Sequence, residues 1–384
     1  MTHLSERELQ LPTLEFPSIF KRVIRDKSII SLGPGEPDFV TPKPLLEYAK
    51  KIIHKGTHYS EPQGMLELRE AIVKKVRKEN HIKTIPENVL VTCGSQEALF
   101  SALLTTIDPT EQVIVSSPGY LGYLPAIELV NGVPIFLKLD EKDEFSINPD
   151  RLRKLINKKK TKAIIINSPR NPTGTVLSKK ILEEIADIAV DNDVYIFSDE
   201  AYEKIIYDNN KHVSIGSFNG MEKYVVTFQT FSKSFAMCGF RLGYCIGPEK
   251  LMKDMTKVHH YVTLTAPHVS QLVGIKALTL SDKYIKAMVK EYKRRRDMIV
   301  KRLNELDMPT PMPGGAFYAF SNIQNYSKNA SKFAKMLLDK AKVAVIPGTE
   351  FGLYGEGYVR YSFATDYKNI EKAMSRIERV LGKH

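Results

Sequence analysis

Five short apolar runs in this 384-residue chain each end in residues able to do chemistry. The run at 89–92 leads into Gly94-Ser95-Gln96, and the run at 113–116 into Pro118-Gly119-Tyr120. The run at 163–167 leads to Asn171-Pro172-Thr173-Gly174, that at 194–198 to Asp199-Glu200-Ala201-Tyr202, and that at 224–228 to Ser232-Lys233. Singly, each has a plain explanation. Gly94-Ser95-Gln96 reads as a helix N-cap, the Asn171 stretch as a turn, Asp199 as a cap on the next helix and Lys233 as a surface lysine. Those explanations weaken when all five fall at the ends of successive runs. Free backbone N–H groups at the mouth of a helix also suit a phosphate, so one polar cleft is the alternative to five unrelated turns.

The runs are rich in Val and Ile and nearly all-apolar, as strands buried on both faces are. They alternate with amphipathic helices, the pattern of an α/β domain with a mostly parallel central sheet. A sixth run lies at 242–247. Ile181, Ile185, Ile188 and Ala189 mark one helical stripe, and Leu68, Ile72 and Val76 an earlier one. In an open sheet of this kind ligands bind outside the carboxyl ends of the strands, which is where the five polar segments stand. After Ser281 a charged helical segment runs to about Leu306, with Ile285, Met288, Tyr292 and Ile299 at helical spacing. Beyond it Gly314-Gly315-Ala316-Phe317-Tyr318 opens a strand, and a helix holds Phe333, Met336 and Leu337. Strands follow at 343–346 and 358–363, and a last helix carries Ile370, Met374, Ile377 and Leu381. The expected division is a large domain over 48–285 and a smaller α/β domain over 286–384. Residues 1–47, irregular and Pro-rich, are expected to form an arm joined to the smaller one.

Composition narrows the class. At 43% hydrophobic and 26% charged residues the chain reads as a globular protein, not a disordered one. No apolar run approaches the ~18–20 residues that span a bilayer, and the polar stretch from Met1 to Leu14 shows no secretory signal. Three cysteines, Cys93, Cys238 and Cys245, cannot all pair and form no CxxC, which points to a reducing, cytoplasmic compartment. The net charge of +12 raises nucleic-acid binding, but the basic residues are spread along the chain. The short runs Lys158-Lys159-Lys160 and Arg294-Arg295-Arg296 read as solvated surface in helical or helix-end segments. The histidines, His259-His260 included, show no metal-ligand spacing, and Cys238 reads as packing.

The segment Ser232-Lys233-Ser234-Phe235-Ala236-Met237-Cys238-Gly239-Phe240-Arg241-Leu242-Gly243 strongly resembles the lysine signature of class I aminotransferases, pyridoxal-phosphate (PLP) enzymes of fold type I. Gly33-Pro34-Gly35-Glu36-Pro37-Asp38-Phe39, Tyr59 followed by Gly64 and Leu68-Arg69, the Asn171 turn, the Asp199 strand end, Gly314-Gly315-Ala316-Phe317 and Val359-Arg360-Tyr361-Ser362 are similar to the family in the same order. The likeness runs from about residue 30 to 365 and is close to archaeal and bacterial aspartate and aromatic aminotransferases. It departs from the family at Thr230, usually Gly or Ser, at Tyr120, often Trp or Phe, and at Phe240, commonly Trp.

The resemblance implies a ping-pong transamination. Lys233 would form the internal Schiff base with the PLP aldehyde and, once freed, move the substrate proton as a general base. Asp199 would pair with the pyridine nitrogen, and Asn171 and Tyr202 would bond the phenolic oxygen. Tyr120 would stack on the ring. The phosphate would meet Gly94, Ser95, Gln96, Ser232 and Arg241, with Tyr59 arriving from a neighbouring subunit of a homodimer. Arg360 would clamp the substrate α-carboxylate, with Gly35 adding a backbone N–H; these two belong to the smaller domain and arm, so substrate binding would draw the domains together. One aspartate-using branch reads the distal carboxylate with a lysine where this chain has Gln96. The expectation is therefore an aromatic or broad donor with 2-oxoglutarate/glutamate as one pair, the alternative being aspartate or a diaminopimelate-type substrate. Other chemistry on the same scaffold, such as a C–S β-lyase, stays open. A regulatory, nucleic-acid-binding relative is disfavoured, since such regulators carry an added domain for which residues 1–30 are too short.

Overall fold

The all-apolar runs become strands because each has a helical layer on both faces. In the computed structural model, which describes residues 5, 6, 8, 11, 12 and 14–382, the strands are β1 (Ile30–Ser31), β2 (Val89–Thr92), β3 (Gln112–Ser117), β4 (Val133–Lys138), β5 (Thr161–Asn167) and β6 (Tyr195–Asp199). They continue with β7 (Val225–Thr230), β8 (Gly243–Ile246), β9 (Tyr318–Asn322), β10 (Val343–Ala344), β11 (Ile346–Pro347) and β12 (Tyr358–Ser362). Successive side chains alternate between faces. Ile114, Ile164, Ile166 and Ile196 pack with Leu182, Ile185 and Ala189 of the helix Lys179–Asn192. Val113, Val115, Ala163, Ile165 and Phe197 pack on the other side with Leu99, Ala102 and Leu103 of the helix Ser95–Thr106. Most of the Met1–Leu14 stretch read for a signal lies outside the described residues, and among these no helix is long and apolar enough to cross a membrane.

The main sheet has seven strands in the order β2-β8-β7-β6-β5-β3-β4. β8 is antiparallel to both its neighbours, and the rest pair in parallel. β2, β3, β5, β6 and β7 therefore all point their carboxyl ends at one edge. The reversed β8 brings its amino end to the same edge, which is how Arg241, two residues before it, arrives beside the others.

The C-terminal part builds a three-stranded antiparallel sheet, β11-β12-β9. The long helix Lys283–Glu305 and the helix Tyr367–Val380 pack against it through Tyr292, Ile299, Leu303, Ile370 and Met374. The N-terminal segment joins this part: β1 pairs in parallel with β10, and the Ser362 N–H donates to the Leu32 carbonyl at 2.7 Å. That contact lays Gly33–Gly35 beside β12. The helix Lys43–Ile52 straddles residue 48, with Leu45 and Ile52 in one apolar cluster with Leu68, Ile72 and Val76.

Three expectations need correction. β4 has no counterpart among the sequence runs: residues 133–137 are apolar too, but Pro134 reads against a central strand and fits the sheet edge that β4 occupies. The single strand at 343–346 is two, since the chain leaves β1 after Ala344 and pairs with β12 from Ile346. Arg295 and Arg296 are not solvated surface: they are 5% and 2% exposed, paired with Asp38 and Glu291, and with Asp208 and Asp297.

Candidate active site

The strand ends converge on a cavity of about 320 Å³. It is lined by Gly35, Gly94, Ser95, Gln96, Tyr120, Asn171, Asp199, Tyr202, Ser232, Lys233, Arg241 and Arg360, all expected from sequence. Tyr59 is not among them. The residue is 81% exposed and in this chain alone is not part of the cavity lining.

Lys233 sits in the short helix Phe231–Ser234 directly after β7, where the Thr230 hydroxyl accepts the Ser232 N–H at 3.2 Å. Its ammonium donates to the Gly35 carbonyl and lies 5.8 Å from the Tyr202 ring and 5.9 Å from that of Phe317. Asp199 ends β6. Its Oδ2 accepts the Tyr123 hydroxyl at 2.5 Å and its Oδ1 the Ala201 N–H at 3.1 Å. Burial raises the Asp199 carboxyl above the usual range, against the pull of those two donors and the Lys233 charge. Both Asp199 donors are neutral, and no ion pair forms on it among the described residues, so a protonated ring nitrogen would supply the missing counter-charge.

The Gly94 end of the cavity shows a comparable gap. Gly94 holds the N-cap of the helix Ser95–Thr106 at φ +94°, with no side chain capping the first turn. A Cβ on Gly94 would come within 2.7 Å of Arg241 Nη2, which itself donates to the Cys93 carbonyl at 3.2 Å. Gly243 is equally confined, since a Cβ there would lie 2.6 Å from the Ser95 nitrogen. Uncapped N–H groups, a guanidinium and the Ser232 hydroxyl thus face one space, a donor set that fits a phosphate.

Arg360 projects from β12 and is wholly enclosed. Its Nη1 donates to Asn171 Oδ1 at 3.0 Å and its Nη2 to the Gly33 carbonyl, while its Nε is buried without a partner. Burial lowers its guanidinium from the usual value, though Tyr318, Tyr202 and Tyr120 oppose that. The Tyr202 and Tyr318 hydroxyls lie 2.7 Å apart. Burial, with Asp199 adding to it, pushes the Tyr120 phenol up to about 12; as a neutral donor it reaches Gln96 Oε1 at 3.1 Å.

The sequence reading missed Tyr123 and Tyr318, both lining the cavity, and Asn167, whose amide donates to the Asp199 carbonyl at 2.9 Å. Tyr123 stands three residues after Tyr120, one helical step, and that spacing was its only signal. Linear spacing also hid Glu200, Glu203 and His212, whose ligand atoms lie within 4.8 Å of one another. The Lys75 ammonium on Glu203 gives that cluster a counter-charge.

The family model for aminotransferase class I and II matches residues 27–377. The chain is a class I and II aminotransferase. An aspartate aminotransferase of Pyrococcus abyssi is 44% identical to this aminotransferase over 371 residues, 96% of this chain and 95% of its own length. Aromatic-amino-acid aminotransferase 2 of Thermococcus litoralis is 43% identical over 382 residues, 98% of each. The crystal structure of the aromatic aminotransferase from Pyrococcus horikoshii superposes with a TM-score of 0.90 at 44% identity, over 95% of this chain and 98% of that one. These likenesses make the fold that of fold type I aminotransferases, and membership implies pyridoxal phosphate as the cofactor.

Proposed function

We propose that this aminotransferase holds PLP in the cavity at the strand ends and moves the amino group of an L-amino acid to a 2-oxo acid, with glutamate and 2-oxoglutarate as one pair. The observation that carries this is the convergence of the Lys233 amine, the counter-ion-free Asp199 carboxylate and the Arg360 guanidinium on one enclosed space. When bound, the cofactor supplies the electron sink for a developing carbanion. Lys233 anchors it and shuttles the proton at the substrate α-carbon. Asp199 keeps the ring nitrogen protonated, Asn171 and Tyr202 hold its phenolic oxygen, and Tyr120 covers its face. The N–H groups of Ser95 and Gln96, with Ser232 and Arg241, take the phosphate. Arg360, whose Nε is buried without a partner, receives the substrate α-carboxylate, and Gly35 gives the main chain room to approach. A homodimer in which Tyr59 of each chain completes the neighbour's phosphate site accounts for that tyrosine's exposure.

An aromatic or broad donor is supported over strict aspartate use. The cations lining the cavity are Lys233, Arg241 and Arg360, each already engaged above, and Gln96 is neutral. A second cavity of about 280 Å³ shares Tyr120, Leu121 and Tyr123 with the first, and its walls include Val115, Leu124, Phe136 and Phe351 together with the acidic Glu350. Apolar walls and a carboxylate favour an aromatic side chain over a second carboxylate. Aspartate remains the other reading because the Pyrococcus abyssi relative carries that name. A panel of amino acids with 2-oxoglutarate separates these: glutamate forms stoichiometrically, with phenylalanine and tyrosine at least matching aspartate in kcat/KM. A hundredfold preference for aspartate would reverse the substrate assignment, and release of ammonia and pyruvate would replace transamination with β-elimination.

A further inference from the structure

The turn that presents Ser95 and Gln96 is fixed from beneath by residues that do not line the cavity. Glu97, in the first turn of the helix Ser95–Thr106, reaches back so that its Oε2 accepts the Cys93 N–H at 3.1 Å. On the other side of the same residue, the Cys93 carbonyl accepts from Arg241 Nη2 at 3.2 Å. The second carboxylate oxygen, Oε1, accepts from the Ser101 hydroxyl at 2.7 Å and faces His259 Nδ1 at 3.0 Å. His259 is fully buried on the helix Glu249–Thr263, and its Nε2 has no partner. A buried N–H left without an acceptor gives up its hydration for nothing in return. Nδ1 also lies 3.1 Å from Thr263 Oγ1, whose hydroxyl can donate instead to the His259 carbonyl at 3.4 Å, so the contacts assign the imidazole proton to Nδ1, donated to Glu97.

A first-turn glutamate that folds back onto the chain ordinarily bonds the N–H of the N-cap residue itself. Here it bonds one residue earlier, stiffening the turn while leaving the helix mouth to a ligand. Its negative charge so close to a phosphate would count against binding if the carboxylate acted only through its field. The three donors on it instead give it a structural task. We infer that Glu97, locked by His259 and Ser101, is a positioning residue for the cofactor phosphate, and that His259 ties the phosphate cradle to the helix Glu249–Thr263. This rests on the reading of Gly94-Ser95-Gln96 and Arg241 as the phosphate site.

The test is titration of the full-length apoprotein with PLP and, separately, with pyridoxal, which lacks the phosphate, followed by absorbance. Glu97→Ala weakens PLP about tenfold or more and pyridoxal less than twofold. His259→Leu weakens PLP severalfold, and His259→Gln, whose amide still donates to Glu97, recovers most of the loss. Equal weakening of PLP and pyridoxal in Glu97→Ala would mean a general loss of structure and overturn the inference, as would PLP affinity unchanged from wild type. A wild-type chain that binds pyridoxal and PLP equally overturns the phosphate-site reading and the inference with it.

Discussion

Asp199 shows how neighbours set the usefulness of one side chain. Burial alone would keep its carboxyl protonated at higher pH, and the Tyr123 hydroxyl at 2.5 Å is the largest pull in the other direction, ahead of the Ala201 N–H and the Lys233 charge. Removing that donor raises the Asp199 value further. In the proposed role Asp199 must be ionised to hold a ring nitrogen and fails as pH falls through its pKa, so the acid limb of kcat in Tyr123→Phe is expected at higher pH than in wild type. With a loss of about tenfold near that limb and much less on the alkaline side, the shift is readable in a pH–rate profile; a uniform loss at every pH would show that Tyr123 serves only packing. Residue types were legible here and contacts were not. Asn171 and Arg360 were each assigned from local motifs, yet the 3.0 Å bond between them joins positions 189 residues apart. Tyr123 gave no polar signature at all, because a phenol beside Tyr120 reads as one more apolar ring.

At the scale of elements, the central strands were legible because two-sided burial writes itself as unbroken Val and Ile. β4 was not, since Pro134 interrupts its apolar run and reads against a strand. The arginine run of the helix Lys283–Glu305 misled for a related reason: charge predicts water unless a partner is known, and the partners Asp38, Asp208 and Pro313 come from elsewhere in the chain. Arg296 donates to Asp208 Oδ2 at 2.7 Å, to the Pro313 carbonyl at 2.9 Å and to Asp297 Oδ1 at 2.5 Å. Those bonds from Arg296, helped by Lys293, hold the Asp208 carboxyl below its usual range. A carboxylate depressed in the folded state adds stability above its unfolded value of about 4, and that stability is lost as pH falls through the lower folded value. Because Asp208 and Asp297 are 42% and 45% exposed and so screened by solvent, Arg296→Met is expected to cost on the order of 1 kcal/mol at pH 7, with the gap to wild type narrowing below about pH 4. Urea unfolding at pH 7 and pH 3 checks this, and a gap that does not change with pH would count against the ion pairs.

The whole molecule assembles its site from distant stretches of chain. β1 on β10 and Leu32 on Ser362 bring the N-terminal segment to β12, so the Gly35 carbonyl meets Lys233 and the Gly33 carbonyl meets Arg360. If Tyr59 serves the neighbouring subunit, chains carrying Tyr59→Ala and chains carrying Lys233→Ala should rescue each other on mixing. One site of each mixed dimer then has both residues intact, and activity should return to about a quarter of wild type for random pairing at equal amounts. Mixed chains no more active than their separate sum would place Tyr59 outside the site. The order of motifs along the chain made the α/β architecture readable from sequence, whereas which loops meet across the two sheets depends on long-range pairing that no local pattern records. In the proposed chemistry every step depends on the amine of Lys233. Borohydride reduction of the PLP-loaded protein followed by peptide mass mapping should find a single pyridoxyl group on the peptide containing Lys233; a label on another lysine, or none, would contradict the account.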